Sequence, residues 1–137
     1  KLARAQPAKL AKHRVYVLGY PQEDATYREE DLRPVLGAFT NLLGVKRLSP
    51  GELVEMNDGI LYHDCSTLGG SSGSPVIDLE SQEVLGVHYC GIPHVVFRGG
   101  GDLLLYQKAC GARKEDVNYS VPSWTILQLA KVRALLP

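Results

Sequence analysis

The chain has 137 residues, 45% hydrophobic and 22% charged, which is the size and balance of one globular domain with a single core and leaves no room for two. Its 15 basic residues cancel its 15 acidic ones, so no field of one sign exists to attract nucleic acid or an anionic membrane, and neither is expected as a partner. No apolar run approaches the ~18 residues of a membrane span, and the opening residues resemble neither a signal nor a transit peptide.

Residues 1–14 hold Lys1, Arg4, Lys9, Lys12 and Arg14 with no acid before Glu23, and read as a basic, solvated linker or strap. Val15 to Leu18 is an apolar run closed by Gly19-Tyr20-Pro21, the pattern of a buried strand entering a loop. The acid-rich stretch from Glu23 to Asp31 belongs to that loop, which is expected to run over residues 22–34. Val45 to Leu48 and Leu53 to Met56 flank Ser49-Pro50-Gly51 and predict a hairpin, because Pro and Gly supply the fixed and the permissive dihedrals of a turn. Asn57-Asp58-Gly59 repeats the turn signal ahead of a strand at Ile60 to His63.

Val76 to Leu79 and Val84 to Tyr89 flank the polar turn Glu80-Ser81-Gln82 as another hairpin. From Gly91 to Asp116 the pattern weakens into a long loop, with one more strand candidate at Leu103 to Tyr106. Val117 to Val121 resumes strand character, and Pro122-Ser123 offers a stop and a helix N-cap. From Trp124 onward Leu127, Ala130 and Ala134 recur at helical spacing, widened by Ile126 and Leu129. The outline is all-β: an antiparallel barrel over residues 15–122, with a C-terminal helix over 123–137.

The stretch that carries chemistry is Thr67-Leu68-Gly69-Gly70-Ser71-Ser72-Gly73-Ser74-Pro75, set between two strand candidates. A Gly/Ser cluster alone is most often a flexible loop. Here it leads straight into Val76-Ile77-Asp78-Leu79, a turn, and Val84-Leu85-Gly86-Val87-His88-Tyr89. That order of parts resembles the nucleophile loop and following hairpin of the chymotrypsin-like serine peptidases, most of all their bacterial trypsin-like and glutamyl endopeptidase branches. Val17-Leu18-Gly19-Tyr20-Pro21 and Asn118-Tyr119-Ser120-Val121-Pro122 are similar to flanking strands of that group.

The resemblance implies the second, six-stranded Greek-key barrel of that fold and a peptide or protein substrate, with no cofactor. It implies Ser72 as nucleophile and the Gly70 and Ser72 amides as the oxyanion hole. A serine hydroxyl attacks only when a base takes its proton, and the developing oxyanion needs donors already aimed at it. Ser71 stands where the digestive enzymes carry the aspartate of their activation switch, so that switch is expected to be absent. Ser66 stands where trypsin places its selecting carboxylate, which removes support for cleavage after Lys or Arg. Thr67 and His88 match the two residues with which glutamyl endopeptidases contact an acidic side chain, and imply substrate binding with that preference.

A peptidase of this fold also needs a His and an Asp ahead of the serine in chain order. His13, His63, Asp64 and Asp102 do not fit those roles, and His88 and His94 come after the serine. The base and its orienting acid are therefore expected from an N-terminal barrel half as partner, and the chain alone is expected to be inactive.

Three other readings compete. Gly69-Gly70-Ser71-Ser72-Gly73 satisfies the Gly-x-Ser-x-Gly elbow of α/β hydrolases with Ser71 at its centre, but Pro75 and β-branched Val76-Ile77 follow where a helix is required. His63-x-Cys65 and His88-x-Cys90 would suit a tetrahedral zinc, though the expectation is no metal. The fold could also serve as an inactive interaction module. Cys65, Cys90 and Cys110 are too few for a disulfide framework, which favours a reducing, cytoplasmic setting. A Cys65–Cys90 bridge stays open, because sequence cannot supply the Cα separation.

Overall fold

A computed structural model describes residues 1–10, 12–22, 43–91, 117–129, 132, 134 and 135. The expected acid-rich loop, most of the expected long loop from Gly91 to Asp116, and the strand candidate Leu103 to Tyr106 lie outside the described residues, as do His94, Asp102 and Cys110. Six strands are described: β1 (His13–Gly19), β2 (Arg47–Asn57), β3 (Ile60–His63), β4 (Pro75–Asp78), β5 (Val84–Gly91) and β6 (Asn118–Pro122), followed by a short helix α1 (Ser123–Ile126). They close into a barrel in the order β1-β2-β3-β6-β5-β4, with β4 returning to β1. Every pairing is antiparallel, as the alternating strands require.

Alternation explains which face turns inward. In β1 the buried positions are Val15, Val17 and Gly19, and in β5 Gly86, His88 and Cys90 repeat the alternation, with Leu85 buried as well. Val15, Val17, Leu53, Leu61, Cys65, Val76 and Leu85 make one core cluster together with Ala3. Each fully buried Val or Leu contributes about 1.5–3 kcal/mol. Tyr62, Cys90, Val117 and Tyr119 make a second cluster, with the Tyr62 and Tyr119 rings edge to face at 5.1 Å.

Two turn expectations had opposite outcomes. Asp58 and Gly59, at φ 49 and 76, form the two-residue connection between β2 and β3, where both central residues need positive φ. Ser49-Pro50-Gly51 is no turn: β2 runs through it unbroken, with Pro50 opposite Tyr16 and Gly51 opposite Val15. Proline is tolerated there because, among the described strands, Pro50 is paired with β1 alone, so its other edge has no ladder that asks for an N–H. Gly51 serves close approach, since a Cβ would lie 2.7 Å from the Cys65 nitrogen. The chain after β3 crosses β2 at that point, with the Glu52 amide donating to the Asp64 carboxylate at 2.6 Å.

The start of the chain touches the barrel at a few apolar residues, while its basic residues Lys1, Arg4, Lys9, Lys12 and Arg14 are exposed. Leu2 bridges Val84 in parallel, Ala3 is buried in the core and Leu10 packs against it. The expected N-cap also has a different role. Pro122 caps α1 without a side-chain bond, while Ser123 is the first helical residue and donates its hydroxyl to the Ala3 carbonyl at 2.7 Å. The described helix ends at Ile126 and passes into tighter turns, where the Gln128 amide bonds the Thr125 carbonyl and the Leu129 amide the Ile126 carbonyl, and residues 130, 131, 133, 136 and 137 of the expected helix lie outside the described residues.

Candidate active site

The loop from Asp64 to Ser74 joins β3 to β4 and is pinned to β5 by continuing its ladder. The Gly73 amide donates to the His88 carbonyl at 2.8 Å, and the His88 amide donates to the Ser74 carbonyl at 2.9 Å. Two tight turns then set the serines apart. The Ser71 amide bonds the Leu68 carbonyl at 3.0 Å and the Ser74 amide bonds the Ser71 carbonyl at 3.1 Å, leaving both Ser71 and Ser74 buried. Ser72 and Gly73 project at the exposed tip.

Gly70 and Gly73 flank that tip at φ 82 and 88, a region that penalises any Cβ. At Gly70 space forbids one as well, since it would come within 2.6 Å of the Gln22 side chain. Gln22 is held there by its amide, which donates to the Gly69 carbonyl at 2.8 Å. Among the described residues neither the Gly70 amide nor the Ser72 amide has an acceptor, although their neighbours are bonded. The Ser72 hydroxyl donates to the Tyr89 carbonyl at 3.2 Å.

The α/β hydrolase alternative fails on this geometry. Ser71 is buried, its Oγ accepting the Leu68 amide at 3.4 Å, and the loop feeds strand β4 in place of a helix.

Beside the loop that carries Ser72, sequence reasoning missed two arrangements. His63 and His88 are brought together in the interior, Nε2 to Nδ1 at 3.3 Å, with rings edge to face at 5.3 Å. Burial, then the neighbouring His88, pushes the His63 pKa down to about 3; burial pushes His88 down to about 4. Both rings are therefore neutral near pH 7. The second arrangement is Asn118 on β6, which accepts the Thr67 hydroxyl at 2.5 Å and donates its Nδ2 to the Cys65 carbonyl at 2.7 Å. Neither spacing nor periodicity signals these pairs. They follow from β6 lying between β3 and β5, with Asn118 opposite His63 on one side and Gly91 on the other. Ser66, the third expected substrate-side residue, is exposed on the same loop.

Cys90 is disulfide-bonded and Cys65 is a free, buried thiol. A Cys65–Cys90 bridge is thereby ruled out. The argument from the cysteine count to a reducing setting loses its premise. The His-Cys metal set fails for the same reason, because a sulfur in a disulfide is no thiolate ligand. Among the described residues no group of three or more metal-ligating side chains converges.

A closed antiparallel barrel bearing an exposed serine on a positive-φ glycine bend defines the class of chymotrypsin-like serine peptidase domains. The family model of the trypsin-like peptidase domain matches residues 1–87, and the chain belongs to that family. It is 41% identical over 46 residues to a glutamyl endopeptidase of Staphylococcus aureus, a match spanning 34% of this chain and 14% of that protein. Among solved structures, the Rv3671c protease of M. tuberculosis in an inactive form aligns with TM-score 0.52 at 22% identity, over 99% of this chain and 54% of that one. A Glu endopeptidase in complex with MPD aligns with TM-score 0.53 at 16% identity, over 96% of this chain and 47% of that one. The chain thus spans about half the length of the solved chains it matches, and these likenesses establish the fold.

Proposed function

We propose that the chain is the nucleophile-bearing half of a serine endopeptidase, working by acyl-enzyme chemistry at Ser72. The observation that carries this reading is the exposed Ser72 hydroxyl on a bend whose Gly70 and Ser72 amides have no acceptor among the described residues. In the reaction, a base draws the proton from Ser72 Oγ as that oxygen bonds to the scissile carbonyl carbon. The carbonyl oxygen takes up the negative charge and is met by the Gly70 and Ser72 amides. The C–N bond breaks as the amine leaves with the proton, and water then cleaves the ester to regenerate the hydroxyl.

The base is not drawn from the histidines described here. His63 and His88 are buried against each other, and His13 lies at the start of β1 within 3.2 Å of Asp78. An N-terminal barrel half supplying His and Asp completes the reading, in keeping with the half-length coverage of the solved relatives. The test is to purify the chain with and without that barrel and follow both peptide hydrolysis and labelling by a fluorophosphonate. Turnover is expected only with the barrel and only while Ser72 is intact.

A second reading, a peptidase-like interaction module, is favoured by one observation: the Ser72 hydroxyl bonds a backbone carbonyl and no imidazole. A parent sequence without an upstream His and Asp would decide for it.

A further inference from the structure

The turn ahead of Ser72 has two possible forms, which aim the Gly70 amide in opposite directions. Leu68 to Ser71 is a β-turn closed by the Ser71 amide on the Leu68 carbonyl at 3.0 Å, with positive φ at Gly70 and not at Gly69. That is the type II pattern. Rotating the central peptide, Gly69–Gly70, through half a circle gives the type I form and keeps the closing bond. The peptide is trans, so its carbonyl and its N–H point opposite ways and exchange directions when it rotates. Glycine on both sides removes the Cβ that would resist.

The chain leaving β1 decides between the two. The Gln22 amide donates to the Gly69 carbonyl at 2.8 Å, which aims the Gly70 N–H away from Gln22. In the type I form that bond is lost, and the Gly70 N–H is directed at the Gln22 N–H, donor against donor. Gln22 is itself fixed. Pro21 before it is buried, and its carbonyl accepts the Gly44 amide at 2.7 Å. Gly19 lies so close to Ser74 that an added Cβ would collide with the Ser74 hydroxyl. The Gln22 side chain takes no part in this bond: it is exposed, and its Nε2 donates to the Tyr20 carbonyl at 3.4 Å.

Resting on the reading of the Gly70 amide as an oxyanion donor, we infer that Gln22 is a positioning residue for the reaction: its main-chain N–H holds the Leu68–Ser71 turn in the type II form and so keeps the Gly70 amide aimed at the oxyanion. Gln22 acts through the Gly69–Gly70 peptide and touches no substrate. Without its N–H the type I form is populated, and there the Gly69 carbonyl oxygen stands where the donor belongs and repels the developing charge.

The experiment uses the peptidase with its N-terminal barrel and three forms of residue 22. Gln22→Ala keeps the N–H, Gln22→Pro lacks it, and an ester analogue keeps the glutamine side chain with oxygen in place of the N–H, which covers a proline variant that does not fold. In the proline and ester forms kcat is expected to fall at least about fivefold, what a typical hydrogen bond holds in a two-state balance, and by no more than about 10²–10³, the worth of the whole donor. KM should stay within about twofold of native. Affinity for a peptide aldehyde, whose adduct with Ser72 carries the same oxyanion, should fall in step with kcat, and Gln22→Ala should behave as native. A kcat loss under about fivefold in the ester form, a loss confined to KM, an unchanged aldehyde affinity, or an equal loss in Gln22→Ala overturns the inference and leaves the peptidase reading standing. If the unaltered peptidase cleaves no peptide, the peptidase reading fails instead, and the Gly70 φ, read from its amide–Hα NMR couplings, decides whether Gln22 sets the turn. A φ that leaves the positive region in the ester form sustains that role; a φ that stays positive overturns it.

Discussion

The Ser72 hydroxyl donates to the Tyr89 carbonyl at 3.2 Å, so the candidate nucleophile rests on the backbone of β5, and among the described residues its proton has no stronger base to go to. A hydroxyl held this way is oriented but not activated. The chain alone is expected to give no esterase or peptidase turnover above background. With the N-terminal barrel present, Ser72→Ala should abolish both turnover and fluorophosphonate labelling, whereas Ser71→Ala, altering a buried residue, should leave labelling in place. Ser72-dependent turnover by the isolated chain would contradict this.

Gly70 is constrained twice, by φ 82 and by Gln22 at 2.6 Å from any added Cβ. Gly70→Ala must therefore shift the amide proposed to meet the oxyanion. Loss of one such donor costs about 10²–10³ in kcat. The expected signature is a kcat loss of that order with KM little changed, and retained activity in steady-state assays would remove Gly70 from the oxyanion hole.

The buried histidine pair makes stability depend on pH. With folded values near 3 for His63 and 4 for His88, the unfolded chain binds protons that the folded chain refuses between pH 6.5 and those values. Stability is then full above pH 6.5 and falls on acidification, by up to about 1.4 kcal/mol per pH unit for each ring. Urea midpoints measured from pH 7 to pH 4 should decline, and His88→Gln should flatten the decline. A midpoint independent of pH over that range would mean the rings are not held neutral.

Cys65 is fully buried, and burial, then the adjacent Asp64, pushes its thiol up to about 12. Iodoacetamide at pH 8 should leave it unmodified in the folded protein and alkylate it in urea, as mass spectrometry would read. Fast native modification would show the thiol to be accessible.

The Ser123 hydroxyl ties α1 to the Ala3 carbonyl, with Ser123 and Ala3 both buried. Ser123→Ala leaves that carbonyl without its partner, at a cost of about 1–3 kcal/mol. A thermal midpoint unchanged by the substitution would show the strap at residues 1–3 to be dispensable.

Much of the barrel was legible in the order of residues, because strand alternation and positive-φ turns are local properties. Val15 and Val17 face inward as their period of two requires, and Asp58-Gly59 turns the chain as its dihedral freedom allows. The bend that carries Ser72 was legible too, since Gly70 and Gly73 are free to take the positive φ it requires. Pro50-Gly51 misled for a physical reason: which edge of a strand goes unpaired, and which chain crosses it, are facts about neighbours remote in sequence.

The pairings of Thr67 with Asn118 and of His63 with His88 belonged to the closed barrel alone. Thr67 and Asn118 are 51 positions apart and His63 and His88 are 25 apart, and only the insertion of β6 between β3 and β5 brings each pair within hydrogen-bonding distance. Residue type states what a hydroxyl or an imidazole is able to donate. Whether its proton is already spent, or its charge already suppressed by burial, is set by the partners that folding places beside it.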